Sequence, residues 1–150
     1  MKIFKKLKEQ KDLRKDVYLP IIEDQKEMQK FAKKLAKLII SLFGTGGEHD
    51  EYRKQETEML YHALVLLMSY PKKQQLKKTI LCYISPEFVK HRMRFLTTKD
   101  TYEYWRLEVP KYMKQQKDIA NLLRHFYVNI ALVIGEDEVQ DLCKNYENER

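Results

Sequence analysis

Apolar residues recur at helical spacing along almost all of this chain, and the breaks between the runs are short and explicit. Met28, Phe31, Ala32, Leu35, Leu38, Ile39, Leu42 and Phe43 fall on one face of a 3.6-residue repeat. After Gly44-Thr45-Gly46-Gly47 the pattern resumes at Tyr52, Met59, Leu60, Ala63, Leu64, Leu66, Leu67 and Tyr70, and Pro71 ends it. Four glycines and four prolines among 150 residues leave little of the turn chemistry that an all-β protein needs. The expected fold is all-α, a compact bundle of about six to eight helices.

Local signals set the expected boundaries. Asp24 and Glu27 form an Asp-x-x-Glu pair suited to the orphan amides of a first turn, so a helix is expected from Asp24 to about Phe43. Tyr18 to Ile22 reads as an extended lead-in, because Leu19 precedes Pro20. A second helix is expected from Asp50 to Tyr70, with Glu48, Asp50 and Glu51 at the positive end of its dipole. A third is expected from about Lys72 to Ile84, with Leu76, Ile80, Leu81 and Ile84 inward. Ser85-Pro86-Glu87 supplies an N-cap, a proline at the first helical position and a first-turn acid, which opens a fourth with Phe88, Val89, Met93 and Leu96 inward. Tyr102, Trp105 and Val109 are expected on a short helix that Pro110 terminates. A long helix from about Lys111 to Ile134 comes next, carrying Met113, Leu122, Leu123 and Phe126 and capped by Gly135. A last helix is expected from Asp137 to Tyr146, with Val139, Leu142 and Cys143 inward.

The formal charge of +7 arises from 29 Lys and Arg against 22 Asp and Glu, and it suits an acidic partner. Residues 1–16 carry seven basic and three acidic groups, and residues 136–150 carry two basic and six acidic. The first sixteen residues read as a basic amphipathic segment ahead of a helical domain over 17–150, with Ile3, Phe4 and Leu7 on one side, able to touch an anionic membrane surface. Lysines interrupt every apolar run well short of the roughly 18 to 20 residues that cross a bilayer, and the start does not read as a signal peptide. Cys82 and Cys143 lie on separate expected helices without CxxC spacing, which fits a reduced, cytoplasmic compartment.

Catalytic patterns are missing where they would be sought. A P-loop needs its glycines followed directly by Lys and Ser or Thr, whereas Gly47 is followed by Glu48, His49 and Asp50, whose two carboxylates would meet a triphosphate with negative charge. His49, His62, His91 and His125 occur singly, and Glu58 and His62 share a helix face at i and i+4, whereas a dinuclear site needs Glu-x-x-His pairs on two helices. Arg53 and His62 stand too far apart for a helical RNase pair, and Ser41, Ser69 and Ser85 have no nucleophile-elbow context. The expectation is a protein that is not an enzyme, with no metal, no cofactor and no small-molecule substrate.

Cation clusters are the better candidates. Lys30, Lys33, Lys34 and Lys37 occupy the outer face of the first long helix; Lys72, Lys73, Lys77 and Lys78 crowd the next turn region; Lys90, Arg92 and Arg94 stud the helix after Ser85. Such cations on rigid helices are what phosphate contacts require.

The order of elements from Tyr18 resembles the all-α domain of TraG/VirD4-type conjugative coupling ATPases and their HerA/FtsK-like relatives. The resemblance rests on Tyr18-Leu19-Pro20-Ile21, Leu42-Phe43-Gly44, the run Leu60 to Leu67, Ser85-Pro86-Glu87-Phe88, and Asp100 to Trp105. It covers about residues 18–130 and lacks the P-loop and Walker B carboxylate of the ATPase lobe. It implies a recognition domain for a transferred DNA–protein cargo, linked to conjugation and type IV secretion. The function expected is a non-catalytic recognition or adaptor domain binding nucleic acid or a nucleoprotein, with a protein partner. The alternative is a small basic structural subunit of a larger nucleoprotein complex, as in CRISPR effectors.

Overall fold

Asp24 ends an extended lead-in and starts α1 (Gln25–Ser41), its carboxylate accepting the Glu27 N–H at 2.9 Å. That cap satisfies one amide the helix cannot satisfy itself. Asp24→Ala is expected to lower unfolding stability by about 1 kcal/mol and Asp24→Ser to restore most of it, read from urea midpoints. The coordinates are a computed structural model that describes residues 17–42, 50–115, 119–133 and 136–148. Phe43, the glycines of residues 44–47, Gly135 and the segment 1–16 lie outside the described residues.

The architecture is all-α, as the periodicity demands. α2 (Asp50–Met68) is its centre: Met59, Leu60 and every residue from His62 to Met68 are buried, so this half of the helix is covered on all sides. α1 lies along it with Met28, Phe31, Leu35, Ala36, Ile39 and Ile40 inward. Then come a 3₁₀ segment (Leu76–Ile80), α3 (Leu81–Ile84), α4 (Pro86–Met93), α5 (Lys99–Glu103), a π segment (Tyr104–Glu108), α6 (Val109–Gln115), α7 (Ile119–Val133) and α8 (Asp137–Asn148). α8 packs on α1, where Tyr146 meets Phe31 edge to face at 5.2 Å and donates to Glu27 Oε2 at 3.0 Å.

Three boundaries differ from expectation. Lys72 does not start a helix. Residues 74–76 instead pair with the lead-in: Leu19 N–H donates to Gln74 O at 2.8 Å and Leu76 N–H to Val17 O at 2.7 Å, around an antiparallel bridge of Tyr18 with Gln75. The backbone groups a first helical turn would have used are committed across the chain. Winding then begins as 3₁₀, with three residues per turn, which rotates residues 81–84 away from the phase that an α-helix begun at Lys72 would give them. Cys82 and Tyr83 therefore turn inward, while Ile84 is 56% exposed.

Pro110 does not terminate a helix either. The turn before it is π, closed by Val109 N–H on Tyr104 O, and the wider turn lets the chain continue through the proline as α6. Trp105 and Tyr104 are buried as a consequence, and Met113 is exposed. The single helix expected over 111–134 is described as two segments, α6 and α7, with residues 116–118 between them outside the description. On α7 Leu122, Phe126, Ile130 and Val133 face the core.

Candidate nucleic-acid interface

Burying the apolar stripe of α1 fixes where its lysines go. Lys30, Lys33, Lys34 and Lys37 all emerge on the opposite side, exposed, and none of the four is in an ion pair among the described residues. Lys30 and Lys34, one turn apart, also line a groove of about 590 Å³ between α1 and α8, with Glu27, Asn145 and Tyr146 as further walls.

The second cluster is held by the bridge rather than by a helix. Lys72, Lys73 and Lys77 are exposed and Lys78 is half-buried. Because the lead-in pairs with Gln75, Tyr18 is brought among them from 57 residues away: the Lys73 ammonium stands 5.9 Å from its ring centroid and Gln75 Nε2 donates to its hydroxyl at 3.5 Å. The residues on either side of Tyr18, Val17 and Leu19, are buried. An aromatic side chain in this lysine cluster had no local sequence signal, since the contact exists only through the pairing.

On α4, Lys90 and Arg94 are exposed but Arg92 is only 8% exposed, which removes it from the surface set. Its guanidinium sits 3.7 Å from the centroid of Tyr70 and 4.7 Å from that of Phe88. It donates to Gln74 Oε1 at 3.2 Å and to His91 Nδ1 at 3.0 Å. A planar cation can be buried this way because two aromatic faces and two acceptors replace much of its hydration. Arg92 thus ties α4 to the segment carrying Lys72 and Lys73 and sets where Lys90 and Arg94 point.

The interior holds further polar groups, several of which link elements distant in sequence, while Thr98 Oγ1 and the Tyr127 hydroxyl are buried without a hydrogen-bond partner among the described residues. Tyr83 donates to Met59 O at 2.8 Å, so the 2.7 Å contact between the two phenols has Tyr104 donating to Tyr83. Trp105 Nε1 donates to His62 O at 3.2 Å. His62 stacks on Tyr104 at 3.9 Å and shares a 2.9 Å hydrogen bond between its Nδ1 and Thr101 Oγ1. Burial lowers the His62 pKa to about 4, with Asp100 opposing it in part. Glu56, fully buried on α2, meets His125 Nδ1 of α7 at 2.5 Å. Burial pushes the Cys82 thiol far above its ordinary value, which makes it a poor nucleophile. Among the described residues no three His, Cys, Asp or Glu side chains gather as a metal-holding group.

No family model, curated protein or solved structure matches this chain. The exposed cations form three groups: a four-lysine face on α1, a bridged lysine and tyrosine cluster, and Lys90 on α4 with Arg94 at its C-cap. No helix among the described residues is long and apolar enough to cross a membrane.

Proposed function

We propose that this chain is a non-catalytic binding module that engages nucleic acid, bare or in a nucleoprotein, through the exposed cations of α1, the segment 72–78 and α4. The observation that carries this reading is the α1 face, where four lysines are held on a rigid, capped helix and no carboxylate among the described residues pairs with them. Cations so placed gain most by releasing counterions from a polyphosphate backbone. The absence of any base-reading motif in the sequence makes the binding indifferent to sequence. The resemblance to the helical domain of conjugative coupling ATPases supports a DNA–protein complex as the physiological cargo, with a cytoplasmic location.

Fluorescence anisotropy of labelled duplex and single-stranded oligomers across a salt series tests this. Affinity is expected to fall steeply with salt, and replacing Lys30, Lys33, Lys34 and Lys37 together by glutamine is expected to weaken binding and flatten the salt slope by about 1 for each lysine that contacted a phosphate. No binding at low salt would rule the reading out.

A second reading, a structural subunit of a larger nucleoprotein assembly, is favoured by one feature. A groove of about 310 Å³ runs between α4 and α6 over Tyr83, Val89, Met93, Trp105, Val109 and Met113, with Lys90 at its edge. Leu107, 55% exposed, and Ile84 lie on elements that help wall it. Exposed apolar surface of this kind is typical of a protein contact.

A further inference from the structure

We infer that Tyr18 is a stacking platform for an unpaired nucleobase, so that the bridged cluster of Tyr18, Lys72, Lys73 and Lys77 takes single-stranded nucleic acid in preference to duplex. The inference rests on the nucleic-acid reading above and specifies the form of its ligand.

Three observations converge on this surface. Tyr18 is 41% exposed although its two neighbours in sequence are buried, so the ring stands out of a backbone anchored on both sides. Two short backbone hydrogen bonds, Leu19 to Gln74 and Leu76 to Val17, hold that backbone and fix where the ring emerges, and Gln75 Nε2 donates to its hydroxyl at 3.5 Å. A pre-placed aromatic loses little freedom on binding. The ring is also surrounded by the right charge: Lys73 reaches toward its face, and Lys72 and Lys77 are exposed on the same short segment.

Tyr102 is also exposed, but α5 carries one lysine, Lys99, against Asp100 and Glu103, and no lysine cluster like that of residues 72–77. The lysines alone do not distinguish duplex from single strand. The ring does, because a base inside a duplex already has both faces covered, whereas an unpaired base offers one to an aromatic side chain irrespective of its identity. Lysines a few residues to either side are then placed for the flanking phosphates.

The test uses the full chain with an oligothymidine carrying one 2-aminopurine, beside the same oligomer annealed to its complement. Wild type is expected to quench the 2-aminopurine in the single strand. Tyr18→Ala is expected to abolish the quenching and weaken single-strand binding by on the order of ten-fold or more, while duplex affinity changes by less than about two-fold. Tyr18→Trp keeps a stacking face and is expected to retain both signals, and matching thermal melts establish that the variants are folded. Unchanged quenching and affinity in Tyr18→Ala overturn the inference while leaving the cationic reading intact. Failure of wild type to bind either oligomer at low salt overturns both.

Discussion

Trp105→Ala is expected to lower unfolding stability by about 3–5 kcal/mol, a large fraction of what a domain of this size possesses. The indole is 4% exposed and bridges elements that are far apart in sequence. Its ring centroid lies 4.9 Å from that of Tyr83 and 5.2 Å from that of Tyr104, and Tyr83 in turn meets Phe126 of α7 at 5.5 Å. Truncation opens a void at this junction and leaves the His62 carbonyl without its extra donor. Trp105→Phe keeps most of the volume and loses the donor, so a smaller loss of about 1 kcal/mol is expected. Urea unfolding followed by circular dichroism separates the two. An unchanged midpoint in Trp105→Ala, with nucleic-acid binding lost, would instead assign the indole to recognition.

Acid is expected to loosen the same region through His62. Its folded pKa of about 4 lies below the ordinary 6.5, because burial disfavours the imidazolium more than Asp100 favours it. The unfolded chain then binds a proton that the folded one refuses between those two values. Stability associated with His62 is therefore fully present above pH 6.5, declines as pH falls toward 4, and is flat below. The whole interval is worth on the order of 3 kcal/mol. Urea midpoints for wild type and His62→Gln across pH 4 to 7.5 check this: the variant is expected to be weaker near neutrality and to lack this component of the slope. Parallel profiles would mean that His62 takes up a proton as readily in the fold as in the unfolded chain.

The elements whose signals are local were legible in the sequence. Asp24 and Ser85 cap α1 and α4 as their chemistry dictates, the latter accepting Phe88 N–H at 3.2 Å. The apolar stripe of α1 likewise determined its buried face and placed Lys30, Lys33, Lys34 and Lys37 outside. The features that escaped depend on partners distant in sequence. Lys72 failed to start a helix because Gln74 and Leu76 commit their backbone groups to Leu19 and Val17. Pro110 failed to end one because a π turn precedes it, and nothing in Tyr-Trp-Arg-Leu-Glu announces a π turn. Arg92 resembles its neighbours Lys90 and Arg94 in sequence, yet helical phase points it at Tyr70 and Gln74. Tyr18 carries only the signal of an extended lead-in, because its cationic surroundings come from residues more than fifty positions later.

The bridge at Tyr18 and Gln75 fastens the chain just before α1 to the chain just after α2, at the end of the helix pair remote from their connection. A hairpin closed at its open end has its register set there and does not depend on the length of the link at its tip. Lengthening such a link is thermodynamically mild, since each doubling adds only about 0.6 kcal/mol of closure entropy. The pairing of α1 with α2 therefore has an anchor of its own, separate from the residues that join the two helices in sequence.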